Sequence, residues 1–250
     1  MTSEDRIYRA RVEGEAGEIE PFRFNDEVAA VFPDMLRRSI PGYAASLEAI
    51  GSLAARYVRA GSNCYDLGCS LGAASLAMRQ GIRSAGCRIV AIDNAPAMIE
   101  RCRRIVREEC QRAPEGTPVE VVEGDILEVG LSNASMVVLN YTLQFLPVAE
   151  RETMIRRVFE GLNEGGVLVL SEKVVDPDPA MEALLRDLHH EHKRRNNYSA
   201  LEISRKRAAL ENVLIPETVD QHRDRLLRAG FSSAAVWLRY FNFVSIIAIR

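Results

Sequence analysis

The stretch Tyr65-Asp66-Leu67-Gly68-Cys69-Ser70-Leu71-Gly72 is an apolar strand ending in a turn of small residues, and Ala73-Ala74-Ser75-Leu76-Ala77 behind it opens a helix. Strand, glycine turn and helix in that order form a nucleotide-cofactor loop, because glycine has no Cβ to hold a ligand away from the backbone. A second apolar stretch, Arg88-Ile89-Val90-Ala91-Ile92, stops on Asp93. A carboxylate at the tip of the next parallel strand can accept from both hydroxyls of a ribose. Turn and acid together read as an adenosine site, whereas the two glycines alone would fit any tight strand-to-helix connection.

What the loop lacks narrows the cofactor. A dinucleotide loop has three glycines spaced G-x-G-x-x-G and a helix N-terminus aimed at a pyrophosphate. Here Gly68 and Gly72 are spaced G-x-x-x-G, with Asp66 just before them. An acid facing the ligand repels a pyrophosphate but suits the ammonium and sulfonium of S-adenosylmethionine, directly or through water.

A chain of 250 residues with 47% hydrophobic content can bury one large α/β core, so one decorated domain is expected. No apolar stretch reaches membrane-spanning length, and Thr2-Ser3-Glu4-Asp5 lacks the basic and apolar regions of a signal peptide. A cytoplasmic protein without a membrane partner is the expectation. Cys64, Cys69, Cys87, Cys102 and Cys110 are an odd set with no C-x-x-C pair, which favours reduced thiols over a disulfide frame or zinc site. The net charge of −3 offers no global attraction for nucleic acid.

Along the chain, strand and helix signals alternate. The first twenty residues are polar and expected to fray. Asn25 to Phe32 reads as a short capped helix stopped by Pro33, with Asp34 capping a further turn before Pro41-Gly42. Ala44 to Val58 is a longer helix leading into the first strand, and a helix starts at Pro96. Val119 to Glu123, Met136 to Asn140 and Val167 to Ser171 continue the sheet as near-continuous apolar runs, with a helix around Arg151 to Leu162 between the last two. Ala234 to Tyr240 and Phe243 to Ile249 are close enough for a hairpin, so one of them must be antiparallel. The expected architecture is an α/β fold with a seven-stranded, mostly parallel sheet. Residues 1–21 form a flexible N-terminus and 22–250 one cofactor-binding domain, with a helical lid at 22–60. A helical insertion after the fifth strand, 174–216, serves substrate binding or dimerisation. In it Ser199-Ala200-Leu201-Glu202 is a capping box that starts a helix carrying Arg207.

Open α/β sheets bind ligands at the carboxyl ends of their strands. Gly68, Cys69 and Ser70 are thereby placed at the amino-acid portion, Asp93 and Asn94 at the ribose. Asp125 can accept from the adenine amine while Ile126 packs on the ring, although Asp125 after Gly124 also fits plain turn chemistry. Asn140, ending the fourth strand, would be costly to bury without partners and so fits a ligand or loop contact. His189-His190-Glu191-His192 lacks the i, i+4 histidine pair of a zinc helix, and no metal is expected. Lys193-Arg194-Arg195-Asn196-Asn197 reads as a solvated helix end, with direct tRNA binding not expected.

The segments Val31-Phe32-Pro33-Asp34-Met35, Pro41-Gly42-Tyr43, Tyr65 to Ala74, Ala91-Ile92-Asp93-Asn94, Pro96 to Cys102, Val138-Leu139-Asn140, Leu170-Ser171-Glu172-Lys173 and Leu201-Glu202-Ile203-Ser204 resemble the carboxy-S-adenosylmethionine synthase family. That family lies within the Rossmann-like class I methyltransferase fold, and the resemblance runs from about Phe22 to the C-terminus. It implies that S-adenosylmethionine is the substrate: its methyl group is carboxylated, with prephenate as donor and phenylpyruvate as second product. The product serves 5-oxyacetyl modification of tRNA wobble uridine, with tRNA handled by a separate enzyme. In the family's proposed mechanism prephenate loses carbon dioxide and hydroxide, and the deprotonated sulfonium methyl captures the former. By match to the family motif, Arg207 grips the new carboxylate and Tyr43 closes over the cofactor. Arginine suits the task because it can hold a carboxylate through two parallel charge-assisted bonds. Ala208 and Ala209 depart from the family pattern. A homodimer built on Leu184, Leu185 and Leu188 is expected, since the core fold offers these positions no cover. An ordinary methyltransferase acting on a small molecule, or a non-catalytic cofactor-binding module, would share the cofactor site.

Overall fold

The structure, a computed structural model, describes residues 4–8 and 21–250. Strands β1 (Asn63–Leu67), β2 (Arg88–Asp93), β3 (Val119–Glu123), β4 (Ala134–Asn140), β5 (Leu162–Lys173), β6 (Ser233–Tyr240) and β7 (Phe243–Ile249) form one sheet in the order β3-β2-β1-β4-β5-β7-β6. β1 to β5 pair in parallel, and β7 is antiparallel to both its neighbours, β5 and β6. The hairpin expected from sequence is β6–β7, and β7 is its antiparallel member. Strand order reverses between β1 and β4, which opens a crevice above their carboxyl ends.

Eight helices accompany the sheet among the described residues: α1 (Asp26–Ser39), α2 (Tyr43–Tyr57), α3 (Ala73–Gly81), α4 (Pro96–Arg112), α5 (Val148–Gly161), α6 (Pro179–Arg195), α7 (Ala200–Leu210) and α8 (Val219–Ala229). Alternate residues of the central strands face two separate cores. Tyr65, Leu67, Val137 and Leu139 pack with Met154, Ile155 and Val158 of α5 and Leu226 of α8. Cys64, Met136 and Val138 pack with Ile50 and Ala54 of α2 and Ala74 and Met78 of α3. Each fully buried large aliphatic side chain contributes about 1.5–3 kcal/mol. A one-residue slip would turn every one of them to the wrong face, so the two cores fix the register. Asp66 shares its face with Cys64, and this parity places it beneath α3.

Two local expectations need correction. Pro33 does not stop α1, which runs through it to Ser39 from an Asn25 cap that accepts from the Val28 N–H at 3.0 Å. An interior proline costs about 3 kcal/mol. Burial of Val31, Phe32 and Met35 on either side of it outweighs that loss. Helix α8 was not expected; its signal is a second capping box, Thr218 with Gln221.

Most of the N-terminal stretch expected to fray lies outside the described residues. Residues 4–8 do not follow that expectation, because Asp5 is buried. Its N–H donates to Asp34 Oδ2 at 2.9 Å, its carboxylate accepts from the Tyr198 hydroxyl, and Lys206 Nζ lies 3.7 Å from Oδ2. Arg38 completes this ionic knot through Asp34 at 3.2 Å and the Asp5 carbonyl at 3.1 Å. The knot ties the chain's beginning to α1 and α7, where Phe32 and Ala209, with Phe22 just before α1, form a further cluster with Ala95 and Met98.

Candidate functional site

Above the reversal between β1 and β4 lies a cavity of about 1030 Å³, closed by α1 and α2 on one side and α6 and α7 on the other. Tyr43, Gly68, Cys69, Ser70, Asp93, Asn94, Asp125, Ile126, Asn140 and Arg207 all line it. The ten positions singled out from sequence are thus brought together by four strand ends, the lid and the insertion.

The glycine loop is shaped by tight contacts. Gly68 has φ +77°, and a Cβ there would stand 2.3 Å from Thr142 Cγ2. The N–H groups of Gly68 and Cys69 both donate to the Ile92 carbonyl, at 2.8 and 2.9 Å. Ser70 also takes a positive φ, 48°. Its N–H is held by Asp93 Oδ2 at 2.8 Å, while Oδ1 accepts from Ala95 N–H at 2.9 Å. Asp93 therefore pins two loops with two of its roughly four acceptor positions, leaving the others for hydroxyls. Burial raises its carboxyl above the usual range, partly countered by these backbone bonds. Cys69 is buried, and the Cys102 thiol bonded to it, with burial, holds its thiol far above the ordinary value. It packs as a neutral group. Asp125 Oδ1 accepts from Leu127 N–H at 2.8 Å, so the turn chemistry considered for it is present, and Ile126 beside it is buried.

Three acceptor oxygens in the wall are buried without a hydrogen bond: Asp66 Oδ1, Asn140 Oδ1 and Asn242 Oδ1. Buried polar atoms are paired in the great majority of cases, so such a group asks for a ligand that donates. An α-ammonium beside a sulfonium is such a donor, and S-adenosylmethionine fits this wall. Asp66 Oδ2 is already committed to Ser75, accepting from its N–H at 2.9 Å and its hydroxyl at 2.6 Å. Burial raises the Asp66 carboxyl to about 6, the Ser75 bonds pulling the other way. The Tyr43 hydroxyl is raised too, by burial first and then by Asp66, so it stays a protonated donor. Its ring lies 6.3 Å from that of Tyr141, which packs on Phe243.

The opposite wall is cationic. Arg207 is exposed on α7 yet lines the cavity, joined by Lys173 at the end of β5 and by Arg186 and Lys193 of α6. The reading of Lys193 as part of a solvated helix end fails: Arg194 and Arg195 are exposed, but Lys193 is buried. Sequence reasoning missed Lys173, Arg186 and Lys193 as site residues. Glu182, Arg186, His189, His190 and Lys193 fall on one helical face, a periodicity in polar residues that marks a polar cavity rather than solvent. His189 Nε2 lies 2.9 Å from the Ser39 carbonyl, and burial, followed by Lys193, lowers its ring to about 2, so it is a neutral donor. Among the described residues no group of three or more His, Cys, Asp or Glu could hold a metal ion, and no helix is long and apolar enough to cross a membrane.

A methyltransferase domain family matches residues 65–166. Carboxy-S-adenosyl-L-methionine synthase of Citrifermentans bemidjiense is 52% identical over 229 residues, covering 92% of this chain and 93% of that protein. This chain belongs to the carboxy-S-adenosyl-L-methionine synthase family. A member from Salmonella paratyphi C is 49% identical over 250 residues, 100% of this chain and 98% of its own length. The family resemblance expected from the motifs therefore holds over nearly the whole chain, insertion included, and identifies a transferase. The class I fold is shown independently by human N-acetylserotonin methyltransferase, solved with S-adenosylmethionine, at a TM-score of 0.59 and 17% identity. That match covers 90% of this chain and 55% of the human chain, and likeness at this identity concerns fold alone.

Proposed function

We propose that this member of the carboxy-S-adenosyl-L-methionine synthase family converts S-adenosylmethionine and prephenate to carboxy-S-adenosylmethionine and phenylpyruvate. The product would supply the carboxymethyl group for 5-oxyacetyl modification of tRNA wobble uridine. One observation carries this reading: the cavity whose strand-end wall offers acceptors to a cationic ligand also presents the Arg207 guanidinium. A methyl donor delivering to a neutral acceptor has no use for a cation beside its sulfonium, since like charges repel. A site that builds a carboxylate on that carbon does.

Bound S-adenosylmethionine supplies the acidic sulfonium methyl, and prephenate the carboxyl. The chain's residues bind and orient. Asp93 and Asn94 hold the ribose, Asp125 and Ile126 the adenine, Asp66 and Asn140 the ammonium end, and Gly68, Cys69 and Ser70 let the backbone approach. Tyr43 closes the lid side, and Arg207 holds the carboxylate by a bidentate pair. Phe24 and Phe32 of the apolar lid, with Phe145 packed against Phe24, exclude water from a reaction that depends on positioning and desolvation. A cytoplasmic homodimer built on the partly exposed Leu184, Leu185 and Leu188 of α6, without direct tRNA contact, completes the proposal.

The test is product mass after incubation with both substrates. Carboxylation adds the mass of carbon dioxide to the nucleoside, whereas methyl transfer leaves S-adenosylhomocysteine. Arg207→Ala is expected to lower carboxylated product by about 100-fold or more while S-adenosylmethionine binds within about threefold of normal. Unchanged turnover in that variant removes Arg207 from the role.

A further inference from the structure

Lys193 is a buried cation with nothing anionic against it. It is 8% exposed, lines the cavity, and among the described residues no hydrogen bond or ion pair reaches its Nζ. Its charged neighbours are Lys206 and Lys173, both cationic. Lys206 already has partners in Ser39 Oγ at 3.0 Å and the Asp5 carboxylate at 3.7 Å. Lys173 in turn lies near Arg186 and Arg207, with Glu182 as the nearby acid. Glu182 accepts from the Asp176 N–H at 3.0 Å through Oε2. His189, neutral and donating to Ser39, brings no negative charge. Burying an ammonium without a partner is unfavourable, and like-charged neighbours make it more so. The arrangement is relieved when an anion lies among these groups.

We infer that Lys193, with Lys173 and Arg186, forms a second carboxylate anchor alongside Arg207, and that it selects a small organic dianion as the second substrate. The inference rests on the carboxylation reading above and adds to it a division of labour. Prephenate carries two carboxylates; one leaves with the transferred carbon, and phenylpyruvate keeps the other. The retained carboxylate belongs with Lys193, Lys173 and Arg186, the transferred one with Arg207. Two adjoining anchors orient the donor, so that its ring carboxyl departs toward the methyl. A monocarboxylate of the same size would leave Lys193 buried and unpaired, which is the basis of discrimination.

The probes are prephenate and malonate, a minimal dicarboxylate, applied to the full-length protein loaded with S-adenosylmethionine. Lys193→Met keeps the volume and removes the charge. It is expected to raise KM for prephenate by about 10- to 100-fold and to weaken malonate binding in a calorimetric titration similarly, with S-adenosylmethionine affinity unchanged. Because the lysine is unpaired, the variant should melt no lower than the parent, an outcome a merely structural lysine would not give. Lys173→Met is the second variant and should move the same two quantities in the same direction. Unaltered prephenate KM and malonate affinity in a folded Lys193→Met protein overturn the subsite. If the parent protein makes no carboxylated product at all, the carboxylation reading falls, and malonate binding alone then decides the subsite: lost in Lys193→Met, it stands; retained, it falls.

Discussion

Replacing Gly68 by alanine tests how the cofactor loop is built. The residue has φ +77°, and the new Cβ would meet Thr142 Cγ2 at 2.3 Å and Oγ1 at 2.5 Å. A left-handed alanine costs about 1–2 kcal/mol, and overpacking against a short, stiff threonine about 1–3 kcal/mol more. The variant should therefore lose about 2–5 kcal/mol in urea unfolding, seen as a lower midpoint at unchanged slope. S-adenosylmethionine should bind more than about tenfold weaker, because the shift pulls the Gly68 and Cys69 N–H groups from the Ile92 carbonyl. Thr142→Ala removes both close atoms but leaves φ unaltered, so in the double variant it should return the overpacking part and not the backbone part. A coupling energy of at least about 1 kcal/mol between the two sites is the expected signature. Strict additivity, or a Gly68→Ala protein as stable as the parent, would refute the claim that this glycine is required by both its φ and its neighbour.

Two other predictions follow from buried charge. Asp66 has a folded-state value of about 6 against an ordinary 3.8, so the folded protein holds its proton more tightly, and stability falls as pH rises from about 4 to 6 and levels off above. At 1.36 kcal/mol per pH unit the penalty at neutral pH is about 3 kcal/mol, so ligand-free Asp66→Asn should be more stable than the parent above about pH 6 yet bind S-adenosylmethionine about 10- to 100-fold more weakly. In the parent that affinity should itself decline below about pH 6; affinity flat with pH, read by calorimetry, removes Asp66 from the ammonium site. Asp5→Ala leaves the buried Lys206 ammonium without its counter-charge and the Tyr198 hydroxyl without its acceptor, and should lower stability by about 3–5 kcal/mol. A urea midpoint equal to the parent's would show that residues 4–8 do not anchor α7.

The legible parts of this molecule are those where one residue type has one physical use. Asp66, Gly68 and Asp93 could be read because a glycine turn between acids on adjacent parallel strands has few purposes, and the apolar runs of β1, β4 and β5 declared strands covered on both faces. Ser199 and Glu202 announced the start of α7 because a capping box is local. Pro33 misled because local propensity says nothing about Val31, Phe32 and Met35, whose burial depends on α4 and α7 arriving from far along the chain. Lys193 misled for a related reason. Within the run Lys193-Arg194-Arg195 nothing distinguishes the residue turned inward, and only the packing of α6 over the cavity separates it from its exposed neighbours. The second role of Asp93, holding Ser70, was hidden because the two loops become neighbours only when β1 and β2 pair.

The most direct test of the central claim is to follow the carboxyl carbon. Prephenate bearing a heavy carbon isotope in its ring carboxylate is incubated with the protein and unlabelled S-adenosylmethionine, and the nucleoside product is analysed by mass spectrometry with fragmentation. Carboxylation at the methyl predicts label in a new carboxymethyl group on sulfur, with phenylpyruvate formed in equal amount. Unlabelled S-adenosylhomocysteine, or phenylpyruvate formed without any labelled nucleoside, would contradict it.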